Sequence, residues 1–176
     1  MQTRNTLRLQ NYDYKQNGCY FITLCTKNRY TYFGDIHNDQ MQLSKVGEII
    51  RSNWQRIPVH FTFALLDEFV IMPNHLHGII SIDHEDHNLL PEDIKEISRF
   101  QNLGKGSLSA IIGSFKSACS REINKVLKTQ AFSWQSGFYE HIIRSEKALN
   151  KIRKYIVDNP IHWAMDHENP KNLREF

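Results

Sequence analysis

The chain has 176 residues, 40% of them hydrophobic and 23% charged, and a formal net charge of +3. That length builds one domain with a real core, and charged or strongly polar residues interrupt every apolar run, which excludes a membrane span. The first residues, Met1-Gln2-Thr3-Arg4-Asn5, hold no apolar leader, so the sequence points to a cytoplasmic protein, and Cys19, Cys25 and Cys119 read as free thiols.

Residues 1–18 form a polar N-terminal arm dotted with tyrosines and carrying Arg4, Arg8 and Lys15. Cys19 to Thr26 is rich in aromatic and β-branched residues and predicts the first strand. Gly34 to Gln40 holds turn formers. Val46, Ile49, Ile50, Trp54 and Ile57 then recur at helical spacing, with Ser44 placed to cap and Pro58 just beyond the end. Phe61 to Ile71 predicts a second strand and Leu76 to Ile82 a third, joined tightly by Met72-Pro73-Asn74.

A loop follows over 83–106. Its first part collects Asp83, Glu85, Asp86, Glu92, Asp93 and Glu96 against Lys95 alone, which leaves the rest of the chain more basic than the overall charge suggests. A basic body suits a polyanionic partner. His84-Glu85-Asp86-His87 has metal-binding residue types but no ordered scaffold around it, and reads as solvent-facing. From Leu108 a second helix places Leu108, Ile111, Ile112, Phe115, Cys119, Ile123 and Val126 on one side, while Lys116, Arg121 and Lys125 project from it. Gly137 to Ile143 predicts a fourth strand. A third helix runs from about Ser145 to Asp158 and is expected to stop at Asn159-Pro160, ahead of an unpatterned tail over 161–176.

Strand, helix, strand, strand, helix, strand is the ferredoxin-like β-α-β-β-α-β order, an α+β fold with two helices on one face of an antiparallel sheet. The extra C-terminal helix then takes the other face.

Two groups of residues carry chemistry. In a strand, His75 and His77 of Met72-Pro73-Asn74-His75-Leu76-His77-Gly78 point to the same side and can share one metal ion. On the third helix, Tyr155 and Asn159 project together from the end of an apolar face formed by Ala148, Leu149, Ile152 and Ile156. If that face packs on the sheet, two imidazoles, an amide oxygen and a phenol converge. An ion held by His75, His77 and Asn159 keeps open positions for the oxygens of a phosphodiester, and Tyr155 can attack the phosphorus. Each group alone is ordinary; their joint placement carries the reading. Two other readings stand beside it: a hydrolase in which the ion activates water and Tyr155 is core, and a DNA-binding module without catalysis.

Phe69 to Gly78 resembles the His-hydrophobic-His motif of the single-tyrosine HUH transposases, and Tyr155-Ile156-Val157-Asp158-Asn159-Pro160 resembles the tyrosine-helix motif of their REP-associated branch. Tyr12-Asp13-Tyr14, Tyr20-Phe21-Ile22-Thr23, Trp134-Gln135 and Phe138-Tyr139-Glu140-His141 are similar to segments of the same group, so the likeness spans roughly residues 8–163. The resemblance implies an HUH endonuclease fold, with His75 and His77 as metal ligands, Asn159 as a third ligand and Tyr155 as nucleophile. It implies Mg²⁺ or Mn²⁺, of which the imidazoles favour Mn²⁺. The implied substrate is single-stranded DNA near a hairpin, cut to a 5′-phosphotyrosine and a free 3′-OH. Candidate DNA contacts are Arg4, Arg8, Tyr12, Tyr14 and Lys15 of the arm, and Lys105, Lys116, Arg121 and Lys125 at the second helix. Monomer and homodimer are both compatible with these motifs.

Overall fold

The computed structural model describes residues 17–84, 106–128 and 132–172. In chain order the elements are β1 (Gly18–Cys25), the hairpin β2 (Gly34–His37) and β3 (Gln40–Leu43), α1 (Lys45–Gln55), α2 (Ile57–His60), β4 (Ala64–Ile71), β5 (His75–Ile82), α3 (Leu108–Leu127), β6 (Tyr139–Ile143) and α4 (Glu146–Asp158). Two short 3₁₀ helices close the described chain, Asn159–Met165 and Pro170–Asn172.

Four strands form an antiparallel sheet in the order β4-β5-β1-β6. This is the split β-α-β-β-α-β arrangement expected from the sequence, with β1 and β5 central. Alternation sorts their side chains between two faces. Tyr20, Ile22 and Leu24 of β1 and Leu76, Ile80 and Ile82 of β5 join the larger core with Trp54 of α1 and Ile111, Ile112 and Phe115 of α3. Trp54 and Phe115 meet edge to face at 5.4 Å and tie the two helices together. Phe21 and Ile79, on the opposite face, pack with Ile143 and with Ile156 of α4. The extra helix therefore lies on the side of the sheet that displays the odd-numbered residues of β5, His75 and His77 among them.

Helix starts follow local chemistry. Ser44 caps α1 by accepting from the amides of Val46 and Gly47, and Ser107 and Ser145 cap α3 and α4 through Ala110 and Ala148. Gly78 is dictated by packing: a Cβ there would stand 2.4 Å from Cζ2 of the fully buried Trp54. Only hydrogen fits between β5 and that indole.

Three sequence expectations need correction. Gly34 to Gln40 is no simple turn but most of a hairpin, reversed at Asn38 and Asp39, both with positive φ, as a two-residue hairpin turn requires. Its strands are four residues each and too short for alternation to reveal. Pro58 does not end the helical region; it opens α2 from the first turn, where its missing N–H costs nothing. The third helix, by contrast, ends at Asp158, ahead of Asn159-Pro160, as expected, and the chain continues as a 3₁₀ helix. Asn159 keeps helical angles (φ −57°, ψ −42°), and Pro160 sits in the first turn of the 3₁₀ helix. Val126, expected on the buried side of α3, is exposed beside the helix end.

The predicted strand over 61–71 begins only at Ala64, and between Leu66 and Phe69 the pairing with β5 shifts register. Asp67 in this irregular stretch receives Arg153 of α4, Nε donating at 2.8 Å with a second bond from Nη2, which ties that flank of α4 to β4. The arm over 1–16 and the loop residues 85–105 lie outside the described residues.

Candidate active site

His75 and His77 leave β5 on the same side with ring centroids 4.5 Å apart, and both are buried. Each ring is oriented by a neighbour. The Asn74 amide donates to the carbonyl oxygens of Arg29 (3.1 Å) and Glu168 (2.7 Å), so its Oδ1 is left to accept from Nδ1 of His75 at 2.8 Å. That fixes the tautomer and leaves the Nε2 lone pair of His75 free. Nδ1 of His77 pairs at 2.9 Å with Oγ1 of Thr23, directly across from it on β1. Its Nε2 lies 3.2 Å from the Tyr155 hydroxyl. Both rings thus turn their Nε2 atoms toward the same region.

Tyr155 reaches there because Ile156 anchors the end of α4 against Phe21 and Ile79. Its ring packs at 5.3 Å from that of His77 and edge-on to Phe21 at 6.0 Å, yet 44% of the residue stays accessible. Asn159, one turn on, is buried with no hydrogen-bond partner for its Oδ1 among the described residues.

The tail supplies a carboxylate that the sequence did not point to. The 3₁₀ helix Asn159–Met165 turns the chain back so that Asp166 Oδ2 stands 3.8 Å from Nε2 of His75. Asp166 Oδ1 is committed to the amide of Glu168, and Oδ2 faces the histidines. Asn169 donates to the carbonyl of Trp163, and Asn172 to those of Ala164 and Asp166. Glu168 also accepts from Arg29 Nε at 2.8 Å. Side-chain-to-backbone bonds of this kind set a segment's path without any hydrophobic period.

Electrostatics keep both imidazoles neutral. Burial, reinforced by His77, His167 and Arg29, holds His75 well below the usual histidine range, and burial with His167 takes His77 down to about 3. Burial and the charges of Asp166 and Glu168 push the Tyr155 phenol up, while a hydrogen bond from Asn159 pulls it back. A neutral His75 makes no ion pair with Asp166, and 3.8 Å is too long for a hydrogen bond.

The donor set fits a divalent cation. One ligand atom each from His75, His77 and Asp166 lies within 4.8 Å of the others, and two ligands bound at roughly 2.1 Å can be up to about 4 Å apart. Nε2 of His75, like Oδ1 of Asn159, is a buried polar atom with no partner among the described residues, an arrangement that costs free energy unless something binds there.

Other sequence candidates fall elsewhere. Lys116 is drawn inward: its ammonium donates to the carbonyls of Gln135 (2.9 Å) and Gly137 (2.5 Å) and lies over the Trp134 ring, and burial lowers its pKa to about 8. Arg121 and Lys125 are exposed on α3, across the sheet from Tyr155. Arg4, Arg8, Tyr12, Tyr14, Lys15 and Lys105 lie outside the described residues. Thr23, Asn74 and Asp166 escaped the sequence reading, and only the Asn-His adjacency at 74–75 offered a local signal.

No family model matches the chain. An uncharacterised protein of Haemophilus influenzae is 40% identical over 166 residues, which is 93% of this chain and 91% of the relative. A candidate REP-associated tyrosine transposase of the same organism is 25% identical over 152 residues, 85% of this chain and 73% of the relative. Among solved structures, a REP-associated tyrosine transposase bound to a REP hairpin superposes with a TM-score of 0.58 at 18% identity, over 88% of this chain and 73% of that one. The chain thus belongs with the uncharacterised Haemophilus influenzae protein along nearly its whole length, is similar in sequence to a candidate REP-associated tyrosine transposase, and shares the fold of a solved one.

Proposed function

We propose that this protein is a metal-dependent endonuclease and strand transferase acting on single-stranded DNA beside a hairpin, with Tyr155 as its nucleophile. The observation that carries the reading is the Tyr155 hydroxyl 3.2 Å from Nε2 of His77, on a face where His75, Asp166 and Asn159 also gather. His75, His77 and Asp166 would hold a divalent ion such as Mn²⁺ or Mg²⁺, with Asn159 as a further oxygen donor. When bound, it supplies Lewis-acid polarisation of a scissile phosphodiester.

The chain's own groups do the rest. Tyr155 Oη forms a bond to phosphorus as the bond to the 3′-oxygen breaks, giving a 5′-phosphotyrosine and a free 3′-OH; the phenolic proton passes to solvent, to which the half-exposed ring is open. Phosphodiester is exchanged for phosphodiester, so attack by a 3′-OH reverses the step and rejoins the strand. Asn159, which hydrogen-bonds the phenol oxygen, favours the reactive phenolate. The hairpin itself is assigned to the N-terminal arm and to Lys105, Arg121 and Lys125, with Lys116 placed to brace the segment before β6.

The His-His-Asp set also suits an ion that activates water, which is the specific ground for a second reading as a hydrolase. Labelled hairpin DNA with a single-stranded flank, incubated with protein and Mn²⁺ and run on a denaturing gel, separates the two. A covalent adduct that disappears in Tyr155→Phe and with chelator is the expected result. Cleavage without an adduct, undiminished in Tyr155→Phe, assigns the hydrolase. A mobility shift with neither product leaves a DNA-binding module.

A further inference from the structure

Arg153 projects from α4 toward β4, where it meets Asp67. On the opposite side of the helix, Lys151 lies one turn before Tyr155, and Lys147 a further turn back. Both lysines are exposed, and among the described residues neither makes an ion pair. Besides β4, α4 contacts β6.

The sheet surface below it is aromatic. Register places Tyr139 of β6 directly opposite Thr23 of β1, and Thr23 directly opposite His77 of β5. The three share a row on one face, with Tyr139 two strand spacings, or ~10 Å, from His77. The ring of Tyr139 leans edge-on against Phe21 at 6.4 Å, and Phe21 is the ring that also touches Tyr155. Tyr139, on an edge strand of the sheet, keeps 45% exposure. His141, next along the same face, is exposed beside it. Glu146 is the exposed acid nearest the lysines in sequence.

An exposed aromatic ring on a sheet, flanked by lysines outside any ion pair on the helix above it, is the arrangement that holds a single strand: bases stack on the ring while ammonium groups meet phosphates. We infer that Tyr139, Lys147 and Lys151 form the channel that leads the single-stranded flank of the substrate to Tyr155. The inference deepens the reading of Tyr155 as a nucleophile on single-stranded DNA and rests on it. It also moves the strand contacts away from α3, whose charged residues lie across the sheet.

Fluorescence anisotropy with a hairpin carrying a labelled single-stranded flank tests it, alongside the adduct gel. Lys147→Glu/Lys151→Glu should weaken binding at least tenfold at moderate salt and lower the salt slope by about 0.7 for each phosphate no longer neutralised. Tyr139→Ala should weaken binding roughly tenfold and Tyr139→Phe hardly at all, because stacking needs the ring and not the hydroxyl. Lys45→Glu/Arg56→Glu, the same charge change on the α1 side of the sheet, should leave affinity within about threefold. Wild-type affinity in the Lys147/Lys151 and Tyr139→Ala variants overturns the channel, as does failure of the wild-type protein to bind the flank. If the wild-type protein binds but yields no adduct, the nucleophile reading falls, and the channel is still judged by the same variants.

Discussion

Tyr155 and His77 meet at 3.2 Å across 78 positions of sequence, hydroxyl to Nε2. In the tautomer whose Nδ1–H donates to Thr23, Nε2 of His77 carries the only lone pair the ring can offer to either a phenol or a cation. It cannot serve both. While the hydroxyl pairs with His77, burial and the Asp166 and Glu168 carboxylates keep it protonated, and a protonated phenol is a poor nucleophile. A cation beside it reverses the sign of the local field. Ultraviolet titration of the phenols should therefore show one tyrosine ionising at lower pH with Mn²⁺ than without it, and that difference should vanish in Tyr155→Phe. Identical titrations with and without Mn²⁺ would place the ion elsewhere.

Asp166 and Asn159 compete for the role of oxygen ligand, and charge decides between them. Asp166 stands beside the histidines and Asn159 beside Tyr155, and only Asp166 brings a negative charge to a divalent ion with two neutral imidazoles. Asp166→Ala should cut Mn²⁺ affinity at least tenfold in calorimetric titration, more than Asn159→Ala does. Asn74→Ala should cost ~10–100-fold, since it frees the His75 ring and unties the tail at Glu168 without removing a ligand. The reverse order for Asp166 and Asn159 would identify the amide as the principal oxygen donor.

The two buried imidazoles make the metal-free protein acid-sensitive. Folded, His77 titrates near 3 and His75 well below 6.5; unfolded, both titrate near 6.5. Below pH 6.5 the unfolded chain binds protons that the folded one refuses, so stability rises with pH up to that point and falls as pH drops below it. From about pH 7.5 to about 5.5 the two rings together should cost about 2–3 kcal/mol. Urea midpoints at the two pH values measure it, and replacing both histidines with asparagine should flatten the difference. A flat profile in the wild-type protein would mean that the rings are not held neutral.

The sheet and its helices were legible because their signals are periodic: alternation in β1 and β5, a 3.6-residue repeat in α1, α3 and α4, and serines at the caps. The nearness of Tyr155 to His77 was legible only conditionally, since sequence shows which face of α4 is apolar but not which side of the sheet receives it. Asp166 was not legible. It follows a proline of the kind that ends helices and sits in a segment shaped by asparagine and aspartate side chains bonding to backbone, a code with no period to detect. Thr23 and Tyr139 gained meaning only from strand register, which a list of strands does not contain.

The glycine that ends the histidine motif offers a test of how tightly the site is seated on the core. At Gly78 a methyl group would intrude on Trp54, which is fully buried between β5 and α3 and has no room to retreat. Gly78→Ala should destabilise the fold by about 1–3 kcal/mol through overpacking. Because β5 must shift to admit the methyl, it should also disturb His77 and weaken Mn²⁺ binding. Gly113 on α3 provides the opposite case: a Cβ there meets nothing within 4 Å, and the site is an exposed helix interior. Gly113→Ala should stabilise by about 0.5–1 kcal/mol through helix propensity and leave metal affinity unchanged. Urea denaturation of the two variants gives the signs directly. Equal effects would mean that the indole does not press on β5, and that the glycine of the motif answers to some need other than packing.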